Sequence, residues 1–267
     1  MLDVSTSAEG DDGGVDATEE RRSRPEPAVS ARAVVAKRYP EAVQAWLSGS
    51  VVLGGSTSTS DLDITVLRDV GRARRESLTF QGWPVEMFVH TSDTIRWFVA
   101  KDLARRKPTM ARLVATGIPL LPGRHGEEIR EECAHVLASG PGPVSAAEMD
   151  LMRYQLTDQV DDLTNFVPGP VGDAIAVEVW RLTAELLLAS NAAWTGGAKW
   201  LIREVAALDV RLGSGFADRL HTGLHGALGG DPSPLSSLAA EALGRVGGPL
   251  WAGFSLDATD VSAPTGG

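Results

Sequence analysis

Gly49-Ser50-Val51-Val52-Leu53-Gly54-Gly55-Ser56-Thr57-Ser58-Thr59-Ser60-Asp61-Leu62-Asp63 is the stretch from which the architecture can be read. Asp61 and Asp63 stand two apart at the head of residues 61–67, where acidic and apolar side chains alternate. In a strand this spacing sends both carboxylates to one face. Leu62, Ile64 and Val66 then pack on the other. Two carboxylates held together repel unless a cation or a proton joins them. Their hard oxygens suit Mg²⁺. Gly49-Ser50 reads as a strand-to-helix turn just before this strand. Glycine allows a ligand close to the backbone, and free N–H groups at a helix start, with a serine hydroxyl, hold phosphate. The small polar linker 55–60 leaves room for phosphate groups.

Outward from this stretch, residues 43–47 read as a short buried strand. Residues 28–38 read as a helix with Ala28, Ala31, Val34 and Val35 on one face, stopped by Pro40. Residues 77–80 and 84–90 flank Gln81-Gly82-Trp83 as a hairpin. Glu86 lies in its second strand between Val85 and Met87. If that strand pairs beside residues 61–67, Glu86 completes a cluster of three carboxylates. The arginine-rich piece 72–75 reads as a solvated loop. Ser92-Asp93 is expected to cap a helix running to about residue 106, and 117–122 reads as one more short strand.

Beyond this point the pattern is helical: residues 125–139, 173–194, 198–209, 216–228 and 235–246, with a capping box at Ser145 and Glu148 opening a helix to about residue 166. The expected fold is therefore α+β, an N-terminal mixed-sheet domain over 28–140 followed by an all-α helical bundle over 141–256. Residues 1–27 and 257–267 read as disordered tails, the first strongly acidic and poor in large apolar side chains.

The composition agrees with a globular protein: 267 residues, 43% apolar and 22% charged. The formal charge is −10, and about half of it comes from the acidic N-terminal segment. No basic face of the kind used for duplex nucleic acid stands out. The one cysteine, Cys133, excludes an intramolecular disulfide and a thiolate metal cluster. No apolar run reaches the roughly 18 residues of a membrane span, and the N-terminus is unlike a secretory signal. A cytoplasmic protein is expected.

Gly49-Ser50, the Asp61-x-Asp63 strand and the Val85-Glu86 strand together resemble the nucleotidyltransferase superfamily of the polymerase β-like fold. Residues 85–90 are similar to the corresponding strand of the aminoglycoside adenylyltransferases, the antibiotic-resistance branch, in which a helical domain follows. The resemblance implies that Asp61 and Asp63 hold Mg²⁺ against the phosphates of ATP. It implies that Glu86 acts as general base, metal ligand or both, and that Gly49, Ser50 and Ser60 border the nucleotide. Val179-Trp180-Arg181 and Gly196-Gly197-Ala198-Lys199-Trp200 resemble the helical segments that bring an arginine and a lysine, here Arg181 and Lys199, to the triphosphate. The plainer alternative is that Arg181 and Lys199 pair with helix carboxylates such as Glu178, Glu185 or Glu204. The implied reaction moves AMP from ATP to a hydroxyl of a small acceptor. Asp158, Asp161 and Asp162 share a helix face that suits a polycationic one. Rival readings are adenylylation of a protein or tRNA, and a nucleotide-binding module without catalysis.

Overall fold

The computed structural model describes residues 24–256 apart from Ser56 and Phe166. The expected tails therefore lie outside it, except for residues 24–27. Those four are tied down rather than loose. Trp83 Nε1 donates to the Pro25 carbonyl at 3.0 Å, Arg24 stacks over the Trp83 ring, and the Glu26 carboxylate accepts from the Ala28 and Val29 amides. Glu26 thereby caps helix α1, Pro27–Arg38, with proline at the first turn where its missing N–H costs nothing.

Five strands form a mixed sheet: β1 (Gln44–Ser48), β2 (Leu62–Leu67), β3 (Arg74–Phe80), β4 (Trp83–His90) and β5 (Ile118–Pro119), in the order β3-β4-β2-β1-β5. Every neighbouring pair is antiparallel except β2 with β4. Alternation decides the faces. Ala45, Leu47, Leu62, Ile64, Val66, Val85, Met87 and Val89 pack with Ala31, Val34 and Val35 of α1 into one core. The opposite face carries Ser48, Asp63, Thr65, Glu86, Phe88 and His90. The β3–β4 hairpin turns on Gln81 and Gly82, both at positive φ (51° and 77°), as a two-residue turn matched to strand twist requires.

The arginine-rich piece is not the loop expected of it. Arg74 and Arg75 belong to β3, opposite Val89 and Phe88 of β4. This edge strand is exposed at every second position. Its extended form comes from pairing with β4, not from its own apolar content. The strand expected over 117–122 shrinks to β5, two residues long.

Helix α2 runs from Ser92 to Ala104. Its first turn is capped by Thr91, whose hydroxyl accepts from the Thr94 amide at 3.3 Å, and not by Ser92-Asp93. Helix α3 (Thr109–Ala115) follows, with no periodicity in the sequence to announce it. At seven residues it is too short to display a helical period. Helix α4 (Glu127–Ser139) buries Ile129 and Cys133. Burial pushes the Cys133 thiol up to about 12, which leaves it an inert core group.

The remaining helices are α5 (Ala146–Thr164), α6 (Pro170–Ser190), α7 (Lys199–Leu212), α8 (Phe216–Leu228) and α9 (Ser233–Gly244), making nine among the described residues. The capping box at Ser145 and Glu148 is present. Helix α6 is apolar on most sides, and Val179, Leu186, Leu187 and Leu188 form the centre of a second core with α5, α7, α8 and α9. The chain divides into two compact units. One holds the described residues up to Val99 with Thr109–Ala134, and the other holds Ala100–Pro108 with those from His135 onward. No helix among the described residues is long and apolar enough to cross a membrane.

His90, at the end of β4, is 5% exposed. It is hydrogen-bonded to the Thr94 hydroxyl at 3.2 Å and meets the Phe98 ring edge-on. Burial lowers its pKa to about 4. The unfolded imidazole takes up a proton near pH 6.5, which the folded one refuses until far lower pH. This contribution to stability is complete above pH 6.5 and is lost as the pH falls toward 4. Denaturant unfolding at pH 7 and pH 4.5 is expected to show the wild type losing about 1–2 kcal/mol more than His90→Gln over that interval.

Candidate active site

The parallel pairing of β2 and β4 sets Asp63 directly beside Glu86. Antiparallel pairing sets Ser48 of β1 on the other side of Asp63. Asp61 lies two residues upstream on the same face. Carboxylate oxygens of Asp61, Asp63 and Glu86 all come within 4.8 Å of one another, and the three side chains are half-buried. Three hard oxygen donors converging at the rim of a sheet form a cluster that can hold a divalent cation.

The bend after β1 is shaped around this cluster. Gly49 has φ +78°, and a Cβ there would lie 2.1 Å from Asp63 Oδ2. Only glycine leaves that carboxylate its place. The backbone then turns tightly. The Gly49 carbonyl accepts from the Val52 and Leu53 amides, and the Ser50 carbonyl from the Gly55 amide.

No helix follows in the described residues between β1 and β2, contrary to the strand-to-helix turn expected at Gly49-Ser50. Gly54-Gly55 and the serine–threonine run behind them favour turns over a helix. The bend therefore presents no helix N-terminus to an anion, and the Val52, Leu53 and Gly55 amides are taken by its own carbonyls. Ser60 is 7% exposed. Its hydroxyl accepts from the Ser50 hydroxyl at 2.9 Å and from the Thr57 amide at 2.8 Å. Ser60 therefore pins the linker against the bend, while Ser50 stays half-exposed beside it.

Arg75, in the piece expected as a solvated loop, belongs to the site. Arg75 Nε of β3 donates a hydrogen bond to Glu86 Oε1. That bond raises the guanidinium pKa above its ordinary value, against an opposing contribution from burial; the charges of Glu86, Asp63 and Asp61 add to it. The available signal was the alternation of Arg75, Ser77 and Thr79 with Leu78 and Phe80, which places Arg75 on the carboxylate face.

In the helical unit, Arg181 is bound within its own helix. Its guanidinium donates to Glu178 at 2.9 Å and to Glu185 at 2.6 Å, the plainer of the two arrangements read from the sequence. Lys199 is exposed at the first position of α7. Asp158 is half-buried on α5, with Asp161 and Asp162 exposed one turn on.

No family model and no curated protein matches this sequence. Among solved structures, a nucleotidyltransferase-like protein from Exiguobacterium sibiricum is similar over 82% of this chain and 77% of its own, with 13% identity and a TM-score of 0.36.

Proposed function

We propose that this protein is a nucleotidyltransferase that moves AMP from ATP to a hydroxyl of a small, polycationic acceptor of the aminoglycoside type, releasing pyrophosphate. The observation that carries this reading is the convergence of Asp61, Asp63 and Glu86 beside the Gly49-Ser50 bend. Asp61 and Asp63 hold Mg²⁺, and Glu86 stands close enough to join them. The ion supplies charge neutralisation for the phosphates and the leaving group.

Glu86 takes the proton of the acceptor hydroxyl as its oxygen bonds to the α-phosphorus. The bond from that phosphorus to the β-phosphate bridging oxygen breaks, and its electrons leave with pyrophosphate. An alcohol is a poor nucleophile at neutral pH, so proton removal and charge neutralisation have to act together. The half-exposed Ser50 at the bend borders the phosphates. Asp158, Asp161 and Asp162 make one stretch of α5 anionic, the charge that a cationic acceptor favours.

One observation favours a second reading, a nucleotide-binding module without catalysis: Arg75 is hydrogen-bonded to a Glu86 oxygen, the kind of atom that would have to accept the acceptor's proton. Pyrophosphate release from Mg-ATP, measured with a panel of aminoglycosides, separates the two. With an accepted substrate, Glu86→Gln is expected to lower turnover by about 10²–10⁴-fold while ATP binding stays close to wild type. ATP binding without pyrophosphate release, for every acceptor tried, would favour the binding module.

A further inference from the structure

Arg75 and a divalent cation have the same target. The guanidinium reaches Glu86 from the edge strand and also feels Asp63 and Asp61. Its side chain is 66% exposed, whereas that of Glu86 is 18% exposed. An ion pair with one partner so well solvated is weak and readily exchanged. Arg75 also lies over the ring of Phe88, its cross-strand neighbour, at 5.3 Å from the centroid. That aromatic face keeps the guanidinium near the cluster even when the carboxylate is taken.

We infer that Arg75 and the divalent ion compete for Glu86, so that Arg75 sets how tightly the three-carboxylate cluster takes its metal. This rests on the metal reading of the cluster proposed above. The competition has two parts with the same sign. Binding of the ion has to break the Arg75–Glu86 hydrogen bond, and the displaced guanidinium, held at Phe88, still repels a doubly charged ion. Arg75 thus lowers the occupancy of the site at a given metal concentration. It also keeps Glu86 partnered until the ion arrives, as a carboxylate beside two others requires.

The test is titration of the full chain with Mn²⁺, at fixed ionic strength, with free ion followed by electron paramagnetic resonance. Wild type, Arg75→Gln, Arg75→Lys and Asp63→Asn are compared, and circular dichroism checks that each is folded. Arg75→Gln is expected to bind Mn²⁺ about 5- to 20-fold more tightly than wild type. Arg75→Lys keeps the charge and is expected to stay within about threefold of wild type. Asp63→Asn is expected not to bind. Equal or weaker binding by Arg75→Gln, with wild type binding normally, would overturn the competition and leave the metal site standing. Absence of binding in both wild type and Arg75→Gln would overturn the metal site and the competition together.

Discussion

Asp63→Asn is expected to lower nucleotidyl transfer by about 10³-fold or more while leaving the protein folded. Asp63 is the middle member of the cluster: Glu86 is its partner across β4, Ser48 its partner across β1, and Asp61 its neighbour along β2. An amide of nearly the same size removes one negative charge and one hard oxygen donor from the group. Support for a divalent ion worth several kcal/mol goes with them. The strand itself has no reason to leave. Leu62, Ile64 and Val66 remain buried on the opposite face, and their packing holds β2 in register. Relief of carboxylate repulsion is expected to leave the thermal midpoint unchanged or slightly raised. Pyrophosphate release and thermal unfolding on the same preparation check both halves. Retained turnover in a folded Asp63→Asn protein would remove the metal assignment.

Gly49→Ala is the second large expected effect, and it arises by a different route. The added methyl would sit 2.1 Å from Asp63 Oδ2 and 3.0 Å from its Cγ. A φ of +78° adds strain of about 1–2 kcal/mol for any L side chain. The carboxylate is the more movable partner, so it is expected to rotate out of the cluster. Stability should fall by about 1–3 kcal/mol, and metal affinity and turnover by about 10–100-fold. Because both substitutions act on one carboxylate, the double variant Gly49→Ala with Asp63→Asn should be no worse in turnover than Asp63→Asn alone. Additive losses would show that Gly49 contributes in some way other than by making room for Asp63.

Much of this site could be read along the chain because its determinants are local. The period of two in β2 sorts Asp61 and Asp63 from Leu62, Ile64 and Val66 without reference to anything distant. The capping box at Ser145 and the i, i+3 and i, i+4 spacing of Glu178, Arg181 and Glu185 are equally local. The register of Asp63 on Glu86 is not. It is set by a parallel pairing reached through the β3–β4 hairpin, so proximity of the third carboxylate stood as a condition in the sequence and is met by the fold. Arg75 was hidden for a related reason. An edge strand with one half-solvated face has too little apolar alternation to stand out, and four residues containing three arginines suggest solvent. The helix expected after Gly49-Ser50 failed where glycine and serine favour turns. Short elements such as α3 and β5 exist by packing on longer neighbours and carry no period of their own.

Anomalous diffraction from crystals grown with Mn²⁺ and a non-hydrolysable ATP analogue addresses the cluster itself. A manganese peak within coordination distance of Asp61 and Asp63, about 2.0–2.6 Å, with nucleotide phosphate oxygens on the same ion, is the expected outcome. Nucleotide bound with no metal peak at these carboxylates, or a peak held by other residues, would contradict it.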